Sequence, residues 1–525
     1  MSSTAPLRTH SMLRAATVVM LFFVVSRVLG LLRDIVISHQ FGTVRVLDAY
    51  FAAFAVPDFV FNVLAGGALG SAFIPAFSAA LAQNETQRAW RLAGAVVHLV
   101  LIGLTAIAAL LALFAPQVAA LTVARGFAPG DQALTADLMR WMLVTPVIFG
   151  ISSIVMGILN SHQHFVLPAL APVVYNAAII VGALALAPTM GVYGLVAGVV
   201  AGAVLHLAVQ VPWLIGRRRV ANGVWQMLSP LYAMRHAPSA DVLKVIRLML
   251  PRTLGIAAVQ INFLVNMVLA SALPAGAIAA LGYAWRLMLL PVGIVGQSLA
   301  TVVFPTLAAQ SARQESGEFR DTFSMAFRAT LYLTIPATVG LSVLSAPLVT
   351  LLFQRGQFDA RSTAETAWAL QFFALALFAH SGLEIVSRAF YALHDTFTPV
   401  AVGIGAMALN IGLSVVLIAP LAQGGLALAN SVATILECSI LFVILRQRIG
   451  DLDERRIAFS AIRIVIATIA MVGALLPFAN RFVESPIFVA MVGMPIGAAV
   501  YLIATTAMRA EEIRFFWGSL KARGF

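Results

Sequence analysis

The sequence predicts an all-α polytopic membrane protein of about 14 transmembrane helices, arranged as two parallel-repeat six-helix lobes followed by two C-terminal helices. Three observations predict this fold class. Hydrophobic residues make up 61% of the 525 residues, only 10% are charged, and the mean hydropathy is +0.96, whereas a water-soluble domain needs far more surface charge. Apolar stretches of about 20 residues, the length of a membrane-spanning helix, recur along the whole chain. The chain also resembles itself at an offset near 230 residues.

The N-terminal apolar run is predicted to be the first transmembrane helix. Arg8 and Arg14 precede an apolar segment that starts at Ala15, which is the arrangement of a signal peptide. No small-residue cleavage site follows, and the run continues to Ile37. We therefore interpret it as a retained helix.

The predicted helices follow one another as apolar runs between short polar or basic loops, with boundaries accurate to a few residues. They span roughly residues 13–39, 48–82, 90–115, 134–160, 166–187, 191–215, 242–272, 276–309, 320–346, 363–392, 398–419, 424–446, 458–479 and 486–508.

Basic residues are distributed unevenly between the two ends of these helices. With the N-terminus in the cytoplasm, eighteen arginines and lysines lie on the inner side and five on the outer side. The positive-inside rule then places both termini in the cytoplasm. The net charge of +12 is explained by these short basic loops between apolar helices. It therefore does not predict nucleic acid as a partner.

Matching residue pairs in the two halves indicate an internal duplication. Phe73-Ile74-Pro75 aligns with Val303-Phe304-Pro305, Arg125-Gly126 with Arg355-Gly356, and Gly194-Leu195 with Gly425-Leu426. Six helices separate equivalent points, so the copies run in the same direction through the membrane, as in a parallel repeat. The predicted organisation is an N-terminal lobe (1–216), a basic cytoplasmic linker (217–241), a C-terminal lobe (242–447), and two extra helices with a cytoplasmic tail (448–525).

Ionisable side chains at membrane depth identify the candidate site, because each is costly unless it faces a cavity or a partner. Deep arginines without an equal number of acids indicate an anionic substrate, and the guanidinium suits bidentate contact with phosphate. The alternative to substrate binding, gating or ion coupling is a structural role for these side chains. In that role Arg33 pairs locally with Asp34 or Asp48, and Glu384 pairs with Arg388. The asparagines then form interhelical hydrogen bonds. The candidate substrate-binding residues are Arg27, Arg33, Asp34, Asp48 and Arg286, and the candidate gate or ion-coupling residues are Asn266, Asn410, Glu384 and Arg388.

Several chemistries lack a sequence signal. No GxxxxGK[ST] segment is present, so no nucleotide-driven motor is predicted. The nine histidines and the single cysteine, Cys438, show no metal-ligand spacing. We therefore expect a transporter rather than an enzyme, with no cofactor and no metal site.

Several motifs resemble the MurJ (MviN) family. The segments 26–34 (SRVLGLLRD), 41–42 (FG) and 48–51 (DAYF) look like the opening of these proteins. Further similar segments are 72–75 (AFIP), 286–288 (RLM) and 388–393 (RAFYAL). The resemblance covers almost the whole chain.

The resemblance implies a lipid II flippase of the multidrug/oligosaccharidyl-lipid/polysaccharide exporter superfamily, in a bacterial inner membrane. Such proteins move undecaprenyl-pyrophosphate-linked disaccharide-pentapeptide to the outer leaflet by alternating access, powered by the membrane potential or a monovalent-cation gradient. Arg27, Arg33 and Arg286 fall on positions that hold the pyrophosphate, and Asp48 falls on an acid position of the family. The implied partners are this lipid-linked pyrophosphate glycan, the lipid bilayer and cell-wall synthesis proteins.

The sequence also departs from the family's pattern. Members often carry Asp at the position of Trp285 and Glu at that of Leu289, and the sodium-site acid of some members falls at Asn266. Two alternatives therefore stay open: a divergent paralogue that exports another polyprenyl-linked glycan, and a non-transporting membrane scaffold. An exporter of cationic drugs is disfavoured, because its core would need acids rather than arginines.

Overall fold

The computed structural model of the chain describes residues 5–216, 220, 222–224, 227 and 240–513, without the side chains of 5–16, 65–72 and most of 240–255. Contacts within the chain define two compact units, Met1–Ala272 and Leu273–Phe525. All regular elements of the described residues are helices, which confirms the predicted fold class.

The first unit is built from twelve described helices. A π-helical turn, Asn62–Gly66, joins the second helix to the third, and another, Gly182–Leu186, joins the eighth to the ninth. The helices are α1 (Ala5–Phe41), α2 (Arg45–Phe61), α3 (Gly67–Ala82), α4 (Thr86–Leu113), α5 (Ala115–Leu121), α6 (Pro129–Met142), α7 (Val144–Ser161), α8 (Val166–Val181), α9 (Ala187–Met190), α10 (Val192–Ala208), α11 (Val211–Ile215) and α12 (Ala240–Ser271).

The second unit continues with ten described helices and one further π-helical turn, Val292–Gln297. The helices are α13 (Ala277–Pro291), α14 (Ser298–Ala312), α15 (Ser316–Val343), α16 (Ser345–Phe353), α17 (Ala360–Ala374), α18 (Leu377–Ala392), α19 (Phe397–Leu421), α20 (Gln423–Ile449), α21 (Glu454–Arg481) and α22 (Pro486–Ala507).

The helix α12 packs within the first unit, against α3 and the π-turn Asn62–Gly66. The sequence places this segment at the start of the C-terminal lobe. Most of the predicted linker 217–241 lies outside the described residues. The predicted lobe boundaries therefore stay a prediction.

Eleven helical segments of the described residues are long and apolar enough to cross a membrane, or twelve if α17 and α18, bent by 43°, form one span. Helices also occupy the two other predicted spans, as α1 and α12, whose side chains are only partly described. The exact count of 14 spans stays a prediction.

Prolines determine where several helices begin and where one breaks. Pro116, Pro129 and Pro486 stand in the first turn of their helices, where the missing N–H leaves no hydrogen bond unmade. The predicted helix 134–160 is instead two helices that meet at Leu143. Pro146 cannot donate to the carbonyl of Met142, and the hydroxyl of Thr145 donates to that carbonyl instead, at 2.8 Å.

The internal repeat extends to backbone conformation. Residues at an offset of 230 or 231 share left-handed φ angles: Asn84 (59°) with Gln314 (60°), Gln163 (59°) with His394 (59°), and Gly191 (59°) with Ala422 (49°). The π-turns 62–66 and 292–297 match at the same offset. Because non-glycine residues rarely adopt such φ angles, their recurrence at equivalent positions supports a common origin of the two halves.

Candidate substrate site

Arg33 lies on α1, half-buried, and is held by two side chains. Its Nε and Nη2 donate to Oδ1 of Asp34 at 3.1 and 2.9 Å, and its Nη1 donates to Oδ1 of Asn176 on α8 at 3.1 Å. The Asp34 side chain is buried, and Asn176 is oriented by a bond from its own amide to the carbonyl of Pro172. Three of the five guanidinium N–H groups are thus used, and two are left for a ligand.

Asp48 is completely buried in the first turn of α2 and pairs with Arg45. The two groups are 3.4 Å apart, and the guanidinium of Arg45 also lies over the ring of Phe127, 4.5 Å from its centroid. An acid at this position interacts favourably with the N-terminal end of the helix dipole. The structure therefore pairs Asp48 with Arg45. Of the two local partners that the sequence offered to Arg33, Asp34 and Asp48, the structure pairs it with Asp34.

Arg27 also lies on α1 but on a different face from Arg33. Six residues along an α-helix correspond to about 240° of net rotation and about 9 Å of rise. Arg27 is exposed, and its guanidinium lies 5.1 Å from the ring centroid of Phe23. The structure thus does not bring Arg27 and Arg33 into one cluster.

Arg286 belongs to the second unit, on α13, where it is half-buried. Its neighbour Trp285 packs edge-to-face against Phe373 on α17 and His380 on α18, with centroids 5.2 and 5.6 Å away. Bulky aromatic packing therefore holds the helix at the residue next to Arg286.

A polar row follows one face of α18. Glu384 and Arg388 are 3.6 Å apart and partly exposed, as their i,i+4 spacing predicts. One turn earlier, the Nε2 of His380 lies 3.3 Å from Oδ1 of Asn430 on α20. His380 was not among the residues singled out from the sequence, although its spacing of four residues from Glu384 was the available signal.

The two candidate asparagines are in different environments. The amide of Asn266 donates to the carbonyl and to Oδ1 of Asn262 within α12, at 3.0 and 3.3 Å. Asn410 is buried on α19, one turn before the buried Ser414. Their roles in gating or ion coupling stay predictions.

Sequence reasoning missed an extended ionic network in the second unit. Arg328, buried on α15, donates from Nε to Glu512 at 2.8 Å and from Nη2 to Glu511 at 3.0 Å. Arg456 on α21 also binds Glu511, and Ser460 donates to Glu512 at 2.8 Å. Burial raises the pKa of Glu511, but hydrogen bonds from the two arginines lower it further, so this carboxyl lies below its ordinary value. The pattern could not be found from spacing, because its members are far apart in sequence.

In the first unit, three polar side chains missed by the sequence reasoning form a buried cluster between α7 and the C-terminal end of α10. The hydroxyl of Ser152 lies 2.8 Å from Nδ1 of His206 and accepts a hydrogen bond from Gln210, also at 2.8 Å. Gln210 donates to the carbonyl of His206 as well. These hydrogen bonds link the two helices without exposing a charge, and the buried Oε1 of Gln210 has no hydrogen-bond partner among the described residues.

Chemically, the arginines are suited to an anion rather than to a reaction. Arg33 keeps free N–H donors beside its carboxylate partner, and Arg27 exposes a guanidinium on the same helix. Guanidinium groups contact phosphate oxygens through paired N–H donors.

Solved structures share this fold. The chain has a TM-score of 0.78 and 25% identity to a structure described as lipid II flippase MurJ in an inward closed conformation, covering 94% of this chain and 100% of the other. A multidrug resistance MATE family transporter of the MOP superfamily, in an inward-facing conformation, gives a TM-score of 0.66 with 18% identity, over 82% and 96% of the two chains. The fold and its intramembrane arginines define the class as a helical membrane transporter.

Sequence comparison identifies the family. A family profile described as lipid II flippase MurJ matches residues 37–494. The chain is 31% identical to lipid II flippase MurJ of Burkholderia cenocepacia over 445 residues, covering 83% of this chain and 84% of the relative. It is 30% identical to the probable lipid II flippase MurJ of Haemophilus influenzae, over 88% and 92% of the two chains. The chain belongs to the MurJ lipid II flippase family.

Proposed function

We propose that this chain flips lipid II, the undecaprenyl-pyrophosphate-linked peptidoglycan precursor, from the cytoplasmic to the outer leaflet by alternating access. The observation that carries this proposal is the family match, which extends over residues 37–494 and thus over nearly all of the described helices. A transporter rather than a scaffold is supported by the family match and by the membrane-embedded arginines, since charge at this depth is costly unless it faces a cavity or a partner.

In this proposal Arg33 is the principal contact of the first unit with the pyrophosphate. Asp34 and Asn176 orient its guanidinium, and two N–H donors are left for phosphate oxygens. Arg27 is a second, exposed cation of the first unit, and Arg286 is the proposed cation of the second unit. Asp48 pairs with Arg45, and its role in substrate binding stays a prediction.

We propose the membrane potential as the driving force. A pyrophosphate diester carries two negative charges, and moving them out of a negative interior is favourable by about 4–5 kcal/mol per 100 mV. In each complete cycle the arginines return to their starting positions, so their own movement contributes no net electrical work. The net charge moved per cycle is that of the cargo, and the potential drives it without a dedicated cation site.

The proposed location is the bacterial inner membrane, with both termini in the cytoplasm, where the precursor is made. Proteins of cell-wall synthesis, on either side of the membrane, are the proposed partners.

Complementation tests the proposed function. A bacterium depleted of its resident lipid II flippase should regain growth and shape when it expresses this chain. Arg33→Ala and Arg286→Ala should abolish rescue, and Arg27→Ala should weaken it, at unchanged protein level in the membrane. Arg313→Ala is the matched control, because this arginine is exposed and 4.0 Å from Glu315, and it should rescue fully.

The other outcomes separate the remaining hypotheses. A well-inserted wild type that fails to rescue would contradict lipid II as cargo and would favour a paralogue for another polyprenyl-linked glycan. Rescue by all three arginine variants would contradict the assigned role of these arginines.

A further inference from the structure

Two adjoining cavities at the start of α21 are not used by the proposed function. One of about 410 Å³ is lined by four arginines and three carboxylates, and the other, of about 330 Å³, by two arginines and four carboxylates. The volume of the first is in the range typical of ligand pockets. Its excess of arginines favours an anion, whereas the second cavity repels one.

The arginines of the first cavity fall into two groups. Arg328 and Arg456 are neutralised by Glu511, Glu512 and Asp453, the last 3.6 Å from Arg456. Arg455 and Arg463 have no carboxylate within ion-pair distance among the described residues. The four arginines and three carboxylates leave the cavity with a net charge of +1, and two of its guanidinium groups have no carboxylate partner among the described residues.

Arg455 and Arg463 lie on one face of α21, with Phe459 between them at intervals of four residues. The guanidinium of Arg455 lies 5.7 Å from the ring centroid of Phe459. Arg463 is half-buried, nine residues after the first residue of the helix and thus about 13 Å along its axis. A half-buried arginine at that depth needs an anionic partner.

The same helix presents exposed apolar side chains beside and beyond Arg463. Ile462, Ile466 and Ile469 expose 55%, 51% and 65% of their surface. In a membrane-spanning helix such side chains contact acyl chains. A ligand that reaches both the arginines and this surface combines an anionic head with an apolar tail.

We propose that Arg455 and Arg463 bind the phosphate of an anionic phospholipid of the surrounding leaflet, with its acyl chains along Ile462, Ile466 and Ile469. Basic cavities between transmembrane helices near the membrane surface are suited to such head groups. The site lies within the second unit and involves none of the arginines assigned to the cargo.

Titration of the purified full-length protein with phosphatidylglycerol, followed by native mass spectrometry, tests this site. The wild type should bind phosphatidylglycerol more tightly than phosphatidylcholine. Each of Arg455→Ala and Arg463→Ala should weaken phosphatidylglycerol binding about fivefold, and the double variant about thirtyfold. Arg463→Lys should retain most of the affinity. An unchanged lipid-free unfolding temperature of the double variant checks that the fold is intact.

Arg481→Ala is the matched control, because this exposed arginine stands at the opposite end of α21. It should leave phosphatidylglycerol affinity unchanged, and an equal loss in this variant would overturn the proposal in favour of general surface attraction.

Glycerol 3-phosphate binding as tightly as the lipid would assign the cavity to a free phosphate compound. Undecaprenyl pyrophosphate binding more tightly, with the same dependence on Arg463, would reassign it to the transported cargo. Lipid affinity is measured without transport, so failure here leaves the proposed function untouched.

Discussion

At the scale of single residues, the charged groups of this protein are defined by their partners more than by their positions in the sequence. Arg33 and Arg455 are both arginines on apolar helices, yet Arg33 has a carboxylate and an amide partner and Arg455 has an aromatic ring. The first is pre-oriented for phosphate. The second is adapted to the membrane surface, since its charge stays exposed.

Asp395, in the loop between α18 and α19, allows a test of such partnerships by pH. Its Oδ1 accepts hydrogen bonds from the backbone of Phe397 and Thr398 at 3.0 and 2.9 Å, and its Oδ2 accepts from the Thr398 hydroxyl and pairs with Arg448. Burial raises the pKa of Asp395, but the bonds from Thr398 and the charge of Arg448 outweigh it and hold the pKa below the ordinary 3.8.

A carboxyl whose pKa is lower in the folded than in the unfolded chain stabilises the fold at pH values above its pKa in the unfolded chain. That contribution is lost as the pH falls from about 4 toward the folded value. Asp395→Asn should therefore lower the free energy of unfolding at pH 7 by roughly 1 kcal/mol, since Arg448 is half exposed. The difference from the wild type should shrink below pH 4. A difference that is constant from pH 7 to pH 3, measured by unfolding in detergent, would contradict this account.

At the scale of helices, the chain depends on backbones that approach closely at equivalent points of the repeat. A Cβ added at Gly194 would lie 2.4 Å from the backbone nitrogen of Ala187, and one at Gly425 would lie 2.1 Å from the carbonyl of Leu417. Both glycines follow a left-handed residue, Gly191 and Ala422, which turns the chain back on itself. The helix pairs on either side of these turns can pack tightly only because no side chain intervenes.

Alanine substitution tests this close approach. Gly194→Ala and Gly425→Ala should each lower the free energy of unfolding by about 1–3 kcal/mol, because backbone must move to admit the methyl group. Gly103→Ala and Gly412→Ala are matched controls in helix interiors with nothing within 4 Å, and they should be neutral or slightly stabilising. Equal effects in all four variants, in unfolding measured in detergent, would refute the packing explanation.

At the scale of the whole molecule, the distribution of basic loops predicts the orientation in the membrane. The predicted inner side carries eighteen basic residues against five outside. This excess favours retention of the basic loops in the cytoplasm during insertion. The orientation matters for function, because an exporter of a cytoplasmic precursor must load on that side.

Reporter fusions test the orientation. Green fluorescent protein fused after Phe525 should fluoresce, and alkaline phosphatase fused there should be inactive, since each folds to activity on only one side of the inner membrane. Insertion of the reporters at the exposed Val483, in the loop between α21 and α22, should give the opposite pattern. Active phosphatase at the C-terminus would reverse the topology and the proposed direction of transport.

Hydropathy and spacing were sufficient to predict the helical membrane fold, the approximate limits of most helices, the two-fold repeat and the Glu384–Arg388 pair, because these depend on neighbours within a few turns. The break at Leu143 and the 43° bend between α17 and α18 interrupt runs that are apolar throughout, so hydropathy alone could not locate them. Tertiary packing alone determines that Arg33 meets Asn176, 143 residues away, and that Arg328 meets Glu512, 184 residues away. Apolar periodicity indicates that a helix is buried but not against which helix. The partner of each deep charge, and therefore which arginines stay available for an anion, is decided only when the helices pack.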